Sequence, residues 1–170
     1  MGNNAYSQNN EKKILVAYYS WSGNTEVVGK YIQELTGADI FLIEPEIAYP
    51  TDYNECVDQA KKEINEGFKP KIKGGVADIN SYDVIIIGTP NWWSTIAPPV
   101  LSFVDKYDFT GKTILPFVTH VGGREARCFT DMGKEMPESD FKKGFAVSGN
   151  RAKSSKQDVE KWLREAGIIK

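Results

Sequence analysis

A doubly wound α/β sandwich, a five-stranded parallel sheet with helices on both faces, is the fold class this sequence predicts, and three observations carry it. Apolar runs of strand length alternate with segments of helical period along the chain, the pattern of repeated βα units whose strands lie parallel. Tyr82 to Pro90, YDVIIIGTP, is the most continuous apolar run, as expected of a central strand covered on both sides. Ile14 to Tyr19 passes through the turn Ser20 to Thr25 directly into an amphipathic helix. No internal repeat or low-complexity linker breaks the alternation after the first residues.

The first helix buries Val27, Val28, Tyr31, Ile32 and Leu35 and stops at Gly37, a residue type suited to the left-handed backbone of a helix end. Ala38 to Ile43 forms the second strand, with Asp39 at its exposed start. The second helix is capped by Asp52, with Glu55 three positions on, and presents Tyr53, Cys56, Val57, Ala60 and Ile64 on one face until Gly67. After the central strand, Pro98 and Pro99 open a helix whose apolar face is Val100, Leu101, Phe103, Val104 and Tyr107. Lys112 to Thr119 is the fourth strand, although Pro116 cannot donate to a ladder and ordinarily marks an edge or bulge. A helix around Ala126 to Lys134 leads to the last strand, Gly144 to Val147. The final helix opens with Ser154 and Gln157 as a capping box, buries Val159, Trp162, Leu163 and Ala166, and ends at Gly167.

Composition bounds the function. The chain has 170 residues, enough for one domain with a proper core, and we read residues 12–170 as that domain behind a polar, Asn-rich, disordered leader, residues 1–11. A net charge of −2 gives no electrostatic case for nucleic acid or an anionic membrane surface. No apolar run approaches a membrane span, and residues 1–10 lack the apolar centre of a signal peptide. The expected location is the cytoplasm. Cys56 and Cys128 lack CxxC spacing and any Cys/His cluster, so both are expected to be reduced and structural, with no metal site.

The turn after the first strand carries the chemistry. Ser20, Ser22 and Thr25 supply hydroxyls, Gly23 lets the backbone approach a ligand, and the first amides of the helix from Asn24 point into the same concavity. Neither Lys nor Arg lies between Ser20 and Val28. An anion here is met by neutral donors, which suits a phosphate monoester on an otherwise apolar ligand. An ordinary strand-to-helix turn uses the same residue types, so the turn alone does not decide. Two nucleotide motifs fail. Gly23 to Tyr31 has five residues between its glycines and Tyr31 after Lys30, where a Walker A loop needs four and Ser or Thr; and no GxGxxG follows the first strand.

In this fold class ligands sit at the carboxyl ends of the strands, near the switch in strand order, so the loops after strands one, three and four share one rim. They are SWSGNT, TPNWWSTIAPP and THVGG. The first holds a phosphate, the second offers Trp92 and Trp93 on a proline-stiffened turn, and the third brings backbone donors on paired glycines. Taken alone the two tryptophans read as packing residues; their place right after the central strand makes them a ligand wall. Together the loops meet the needs of a flavin mononucleotide.

At these residues the chain resembles the flavodoxin family, whose phosphate loop SxSGNT matches Ser20, Ser22, Gly23, Asn24 and Thr25. More narrowly it is similar to short flavodoxin-like proteins with PxWW after the third strand (Pro90 to Trp93), PFxTxxG at the fourth (Pro116 to Gly122) and PxDYxxxxxxAxxE in the second helix (Pro50 to Glu63). The resemblance spans about residues 12–170 and implies the strand order 2-1-3-4-5. It implies noncovalent FMN, with Ser20, Trp21, Ser22, Gly23, Asn24 and Thr25 around the phosphate. Pro90, Asn91, Trp92 and Trp93 would flank the ring, and Thr119, His120, Gly122 and Gly123 would approach its pyrimidine edge. Where the family often continues with glycines and small residues, this chain has Arg124, Glu125 and Arg127. Arg124 is open to three roles: narrowing the pocket, approaching flavin N1, or attracting an anionic second substrate.

His120 is the only histidine. Its plain role, a loop residue bonded to backbone, stands ahead of that of proton donor, and no other catalytic residue is expected because the chemistry belongs to flavin N5. Three functions follow. The preferred one is an oxidoreductase in which NAD(P)H, a transient co-substrate, reduces the flavin and a quinone or similar small acceptor takes the electrons. The second is a flavodoxin-type electron carrier serving a redox partner protein. The third is an interaction module of this shape that has lost its cofactor. Carriers often cover one ring face with a third-loop tyrosine, whereas Thr119 to Arg127 contains no aromatic residue. That open face favours the oxidoreductase. The sequence leaves a homodimer open.

Overall fold

The computed structural model describes residues 11–170, so the leader expected at residues 1–11 lies outside the described residues apart from Glu11. The elements run β1 (Ile14–Tyr18), α1 (Asn24–Thr36), β2 (Asp39–Leu42), α2 (Tyr53–Glu66), β3 (Val84–Trp92), β4 (Thr95–Ile96), α3 (Pro98–Lys106), β5 (Thr113–His120), α4 (Cys128–Glu135), β6 (Asp140–Phe141), β7 (Phe145–Ser148) and α5 (Lys156–Glu165). Turns of 3-10 helix occupy Ile79–Ser81 and Gly149–Ser154.

The main sheet is parallel, in the order β2-β1-β3-β5, with β6 and β7 both pairing the far side of β5. Counting β6 and β7 as one interrupted strand, this is the expected order 2-1-3-4-5. Alternate residues of β3 point to opposite faces, and each face has its own core. Ile85 and Ile87 pack with Cys56 of α2, Phe103 of α3 and Met132 of α4. Val84 and Ile86 pack with Val28 and Ile32 of α1 and with Val159, Trp162 and Leu163 of α5. Of the helical faces expected from period, Tyr53 departs most, being 62% exposed. It stands in the first turn of α2. Among the described residues no helix is long and apolar enough to cross a membrane.

The break between β6 and β7 explains Pro116. Along β5 the amide of Thr113 donates to the Asp83 carbonyl on the β3 side, while the Ile114 carbonyl accepts from Lys142 on the other. Alternation therefore turns Pro116, like Ile114, away from β3. There β6 pairs Thr113 and Ile114, β7 pairs Phe117 to His120, and nothing pairs Pro116. A residue without an N–H stands where no partner carbonyl waits.

Two local expectations are corrected. The capping box at Ser154 and Gln157 does not form, because residues 149–154 are already wound as a 3-10 turn and Ser154 donates to the Arg151 carbonyl at 3.1 Å. α5 starts at Lys156, with Ser155 at the capping position and no side-chain cap. The third strand runs past Pro90 to Trp92 and folds back through Trp93 and Ser94 into β4, pairing Trp92 with Thr95. Both turn residues have positive φ, 53° and 68°, the backbone of a two-residue hairpin with primed geometry. The cap of α2 forms as expected, Asp52 accepting from the Glu55 amide at 3.0 Å.

Candidate functional site

β1 ends where the chain must turn into α1, and Gly23 makes the turn with φ 89°, a backbone that costs any other residue strain. Ser20 Oγ accepts from the Glu26 amide at 3.2 Å and so caps the first turn. Asn24 Nδ2 donates to Ser22 Oγ at 3.1 Å, which leaves the Ser22 proton free to point elsewhere. Among the described residues no group accepts from the amides of Ser22, Gly23, Asn24 or Thr25. Four backbone donors therefore stand without an acceptor at the positive end of a 13-residue helix. Thr25 is only 2% exposed, and its hydroxyl bonds that of Thr119 at 2.8 Å, tying this turn to the end of β5.

The aromatic wall is built differently. Trp92 is half-buried, with its ring edge-on to Tyr19 and Tyr49 at centroid distances of 5.4 and 4.9 Å. Tyr49 in turn donates to the Glu63 carboxylate, which also accepts from Gln59 at 2.9 Å. Burial, reinforced by that bond, pushes the Tyr49 phenol well above the ordinary tyrosine range. Trp93 lies over α2, its Nε1 donating to the Val57 carbonyl at 3.0 Å and its ring 4.9 Å from Lys61 Nζ. Trp21 donates to the Pro50 carbonyl at 3.0 Å and faces Tyr53.

The third loop leaves β5 at His120, whose Nδ1 accepts from the Gly122 amide at 3.1 Å. Partial burial, and then the Arg124 charge, hold the imidazole below its ordinary range against a smaller opposing pull from Glu125. Asn91 Nδ2 donates to the Arg124 carbonyl at 2.8 Å and pins this loop to the second one. The Arg124 side chain itself is 80% exposed beside Glu125 and does not line the cavity, so it does not narrow the pocket.

These loops enclose a cavity of about 490 Å³. Of the residues expected from sequence, Trp21, Ser22, Asn24, Pro90, Asn91, Trp92, Trp93, Thr119 and His120 line it. Ser20, Gly23, Thr25, Gly122 and Gly123 do not; Ser20 faces a neighbouring cleft along β2 instead, with Trp21 between the two. Sequence reasoning missed Tyr53, Cys56, Val57 and Ala60 on α2, Val121 at the loop tip, and Gly149 after β7. The α2 residues form an apolar face by their helical spacing, and nothing in that spacing distinguishes a cavity wall from core. Both cysteines are buried and free, with burial pushing their thiols up to about 11 for Cys56 and about 12 for Cys128. They are inert protonated fillers rather than nucleophiles. A small anion fits the amide end and a flat apolar body the walls.

Comparison with known proteins supplies the lineage. A putative flavoprotein from Bacteroides eggerthii DSM 20697 is 29% identical with a TM-score of 0.80, covering 92% of this chain and 98% of its own. One from Bacteroides uniformis ATCC 8492 is 25% identical, also with a TM-score of 0.80, over 90% and 98%. A flavoprotein from Lactobacillus acidophilus NCFM, solved in complex with FMN, shares the fold at 24% identity and a TM-score of 0.70, over 89% and 98%. No curated protein matches the chain. The family model described as Flavodoxin matches residues 13–166, nearly the whole described chain, and this protein therefore belongs to the flavodoxin family.

Proposed function

We propose that this flavodoxin-family chain binds FMN noncovalently and uses it to pass electrons from NAD(P)H to a quinone or similar planar acceptor. The observation that carries the reading is one cavity with the unpartnered amides of Ser22 and Asn24 at one end and tryptophans along its length. The fit is chemical as well as spatial. The four amides and the Ser22 hydroxyl suit a phosphate dianion without any Lys or Arg, and Trp21, Trp92 and Trp93 offer apolar surface to a tricyclic ring. A relative of the same fold was solved with FMN. When bound, FMN supplies the redox chemistry.

What the chain contributes is holding, shielding and access. The phosphate loop anchors one end, Asn91 keeps the second and third loops at a set separation, and His120, neutral and bonded to the Gly122 amide, presents Nε2–H as a donor. The third loop carries no aromatic, and its tip residue Val121 is 99% exposed. A ring held there keeps one face open for a planar partner, which favours an oxidoreductase. Trp21, fixed by Pro50 on the cavity wall, is the one observation that favours a carrier with a covered ring. The cofactor-free module gains nothing from Arg124, whose side chain stays off the cavity.

The test is turnover and colour together. Purified protein should take up FMN with a visible flavin spectrum and oxidise NAD(P)H faster when a quinone is added. Ser22→Ala should weaken FMN by roughly tenfold while leaving riboflavin nearly unchanged, the loss of one hydrogen bond to a charged group. FMN uptake without turnover on any nicotinamide would leave the carrier as the function, and equal losses of both flavins would remove the phosphate assignment.

A further inference from the structure

We infer that Gly149, in the turn after β7, is a positioning residue that selects phosphorylated over unphosphorylated flavin by keeping Asn24 in place. The inference rests on the FMN reading above and goes beyond it, because it assigns phosphate discrimination to a segment outside the three loops that the fold class brings to the ligand.

Gly149 lies opposite the phosphate loop, and both it and Asn24 line the cavity. A Cβ added at Gly149 would stand 2.5 Å from Asn24 Nδ2 and 3.2 Å from its Cγ, closer than packed atoms tolerate. The next nearest atom beyond its own chain neighbours is Asn24 Cβ at 3.8 Å, an ordinary contact. The backbone of Gly149 is not in the left-handed region, so alanine is conformationally acceptable there. The clash is with one side-chain amide alone.

That amide has a task. Asn24 Nδ2 donates to Ser22 Oγ at 3.1 Å, so the Ser22 hydroxyl, already an acceptor, is oriented to donate its own proton toward an anion. With a methyl at 149, Asn24 must rotate, the donation to Ser22 is lost, and the hydroxyl proton is free to turn back toward the asparagine. Only a ligand that needs the Ser22 proton, the phosphate monoester, feels the change. The neutral ribityl and ring portions do not.

The experiment compares FMN and riboflavin binding, by quenching of flavin fluorescence, for the full-length protein and for Gly149→Ala, Asn24→Ala and the double variant, with thermal unfolding of each as a control. Gly149→Ala should weaken FMN roughly tenfold, leave riboflavin within about twofold, and unfold at the wild-type temperature. Asn24→Ala should lose a comparable amount, and adding Gly149→Ala to it should cost nothing further, because the clashing atoms are gone. If wild type binds FMN and Gly149→Ala binds it equally well, or loses both flavins alike, or its loss adds to that of Asn24→Ala, this inference is overturned and the FMN reading stands. If wild type takes up no FMN, both fall.

Discussion

The turn from Ser20 to Thr25 and the wall around Trp92 face the same cavity, yet they are held in opposite ways. In the turn the bonds are short-range: Asn24 to Ser22, two residues apart, and Glu26 to Ser20, six apart. Two long-range bonds leave it, Thr25 to Thr119 on the sheet and Trp21 to the Pro50 carbonyl. The wall is assembled from distant parts of the chain, Trp92 seated against Tyr19 and Tyr49, Tyr49 clamped to Glu63, and Trp93 reaching back 36 residues to Val57. A pre-shaped local turn presents donors to a charged group whether or not the rest of the site is filled, whereas the wall depends on the packing of the whole α2 side. Binding of the anionic end should then be separable from stability, and the aromatic end should not.

Trp92→Ala makes the sharpest break. It removes a ring from between two tyrosines, and truncations of this kind cost about 2–4 kcal/mol when the site cannot collapse. Chemical unfolding should show that loss in protein free of flavin. Tyr49→Phe, which deprives the Glu63 carboxylate of its phenol donor, should cost about 1–3 kcal/mol by the same measurement. Ser22→Ala should not move the midpoint. A destabilised Ser22→Ala beside an indifferent Trp92→Ala would reverse the comparison.

The tether between the two regions is the next effect in size. Thr25→Val leaves the buried Thr119 hydroxyl without its partner and should cost about 1–2 kcal/mol, and Thr119→Val about the same for the reciprocal reason. The double variant replaces both hydroxyls by methyls of similar shape and should cost less than the two losses combined. Strict additivity would show that the two threonines are neighbours without being partners.

The same contrast explains how much was legible beforehand. Helix faces and the Asp52 cap follow from periodicity and local chemistry, so they could be read directly, whereas the strand order came only with the family resemblance. Ser154 misled because its helix-start signature is also compatible with a 3-10 turn, and its hydroxyl donates to the Arg151 carbonyl inside that turn. Pro116 could not be placed from its own strand, since its tolerance depends on the gap between β6 and β7, which leaves its outer side unpaired. Within the site, the residues between Ser20 and Thr25 announce themselves by type and spacing. Tyr53, Cys56, Val57 and Ala60 look like any buried helix face, and Gly149 is recognisable only through its distance to Asn24.

The smallest expected effect is a titration. His120 sits at the junction of β5 and the third loop, accepting from Gly122 through Nδ1, a bond that only the uncharged ring makes. Burial and Arg124 lower its folded-state pKa, so the neutral form contributes stability above the unfolded value near 6.5. That contribution falls away as the pH drops through the lower folded value. With one histidine in the chain, its Cε1 proton gives an unambiguous NMR signal, and its midpoint should lie below that of free imidazole. Arg124→Ala removes the second of the two lowering influences and should move the midpoint back upward, while Ser22→Ala, across the cavity, should leave it where it is. A midpoint that tracks Ser22 instead would mean the two ends of the cavity are electrically one site, and the division between a local anion cradle and a tertiary wall would have to be given up.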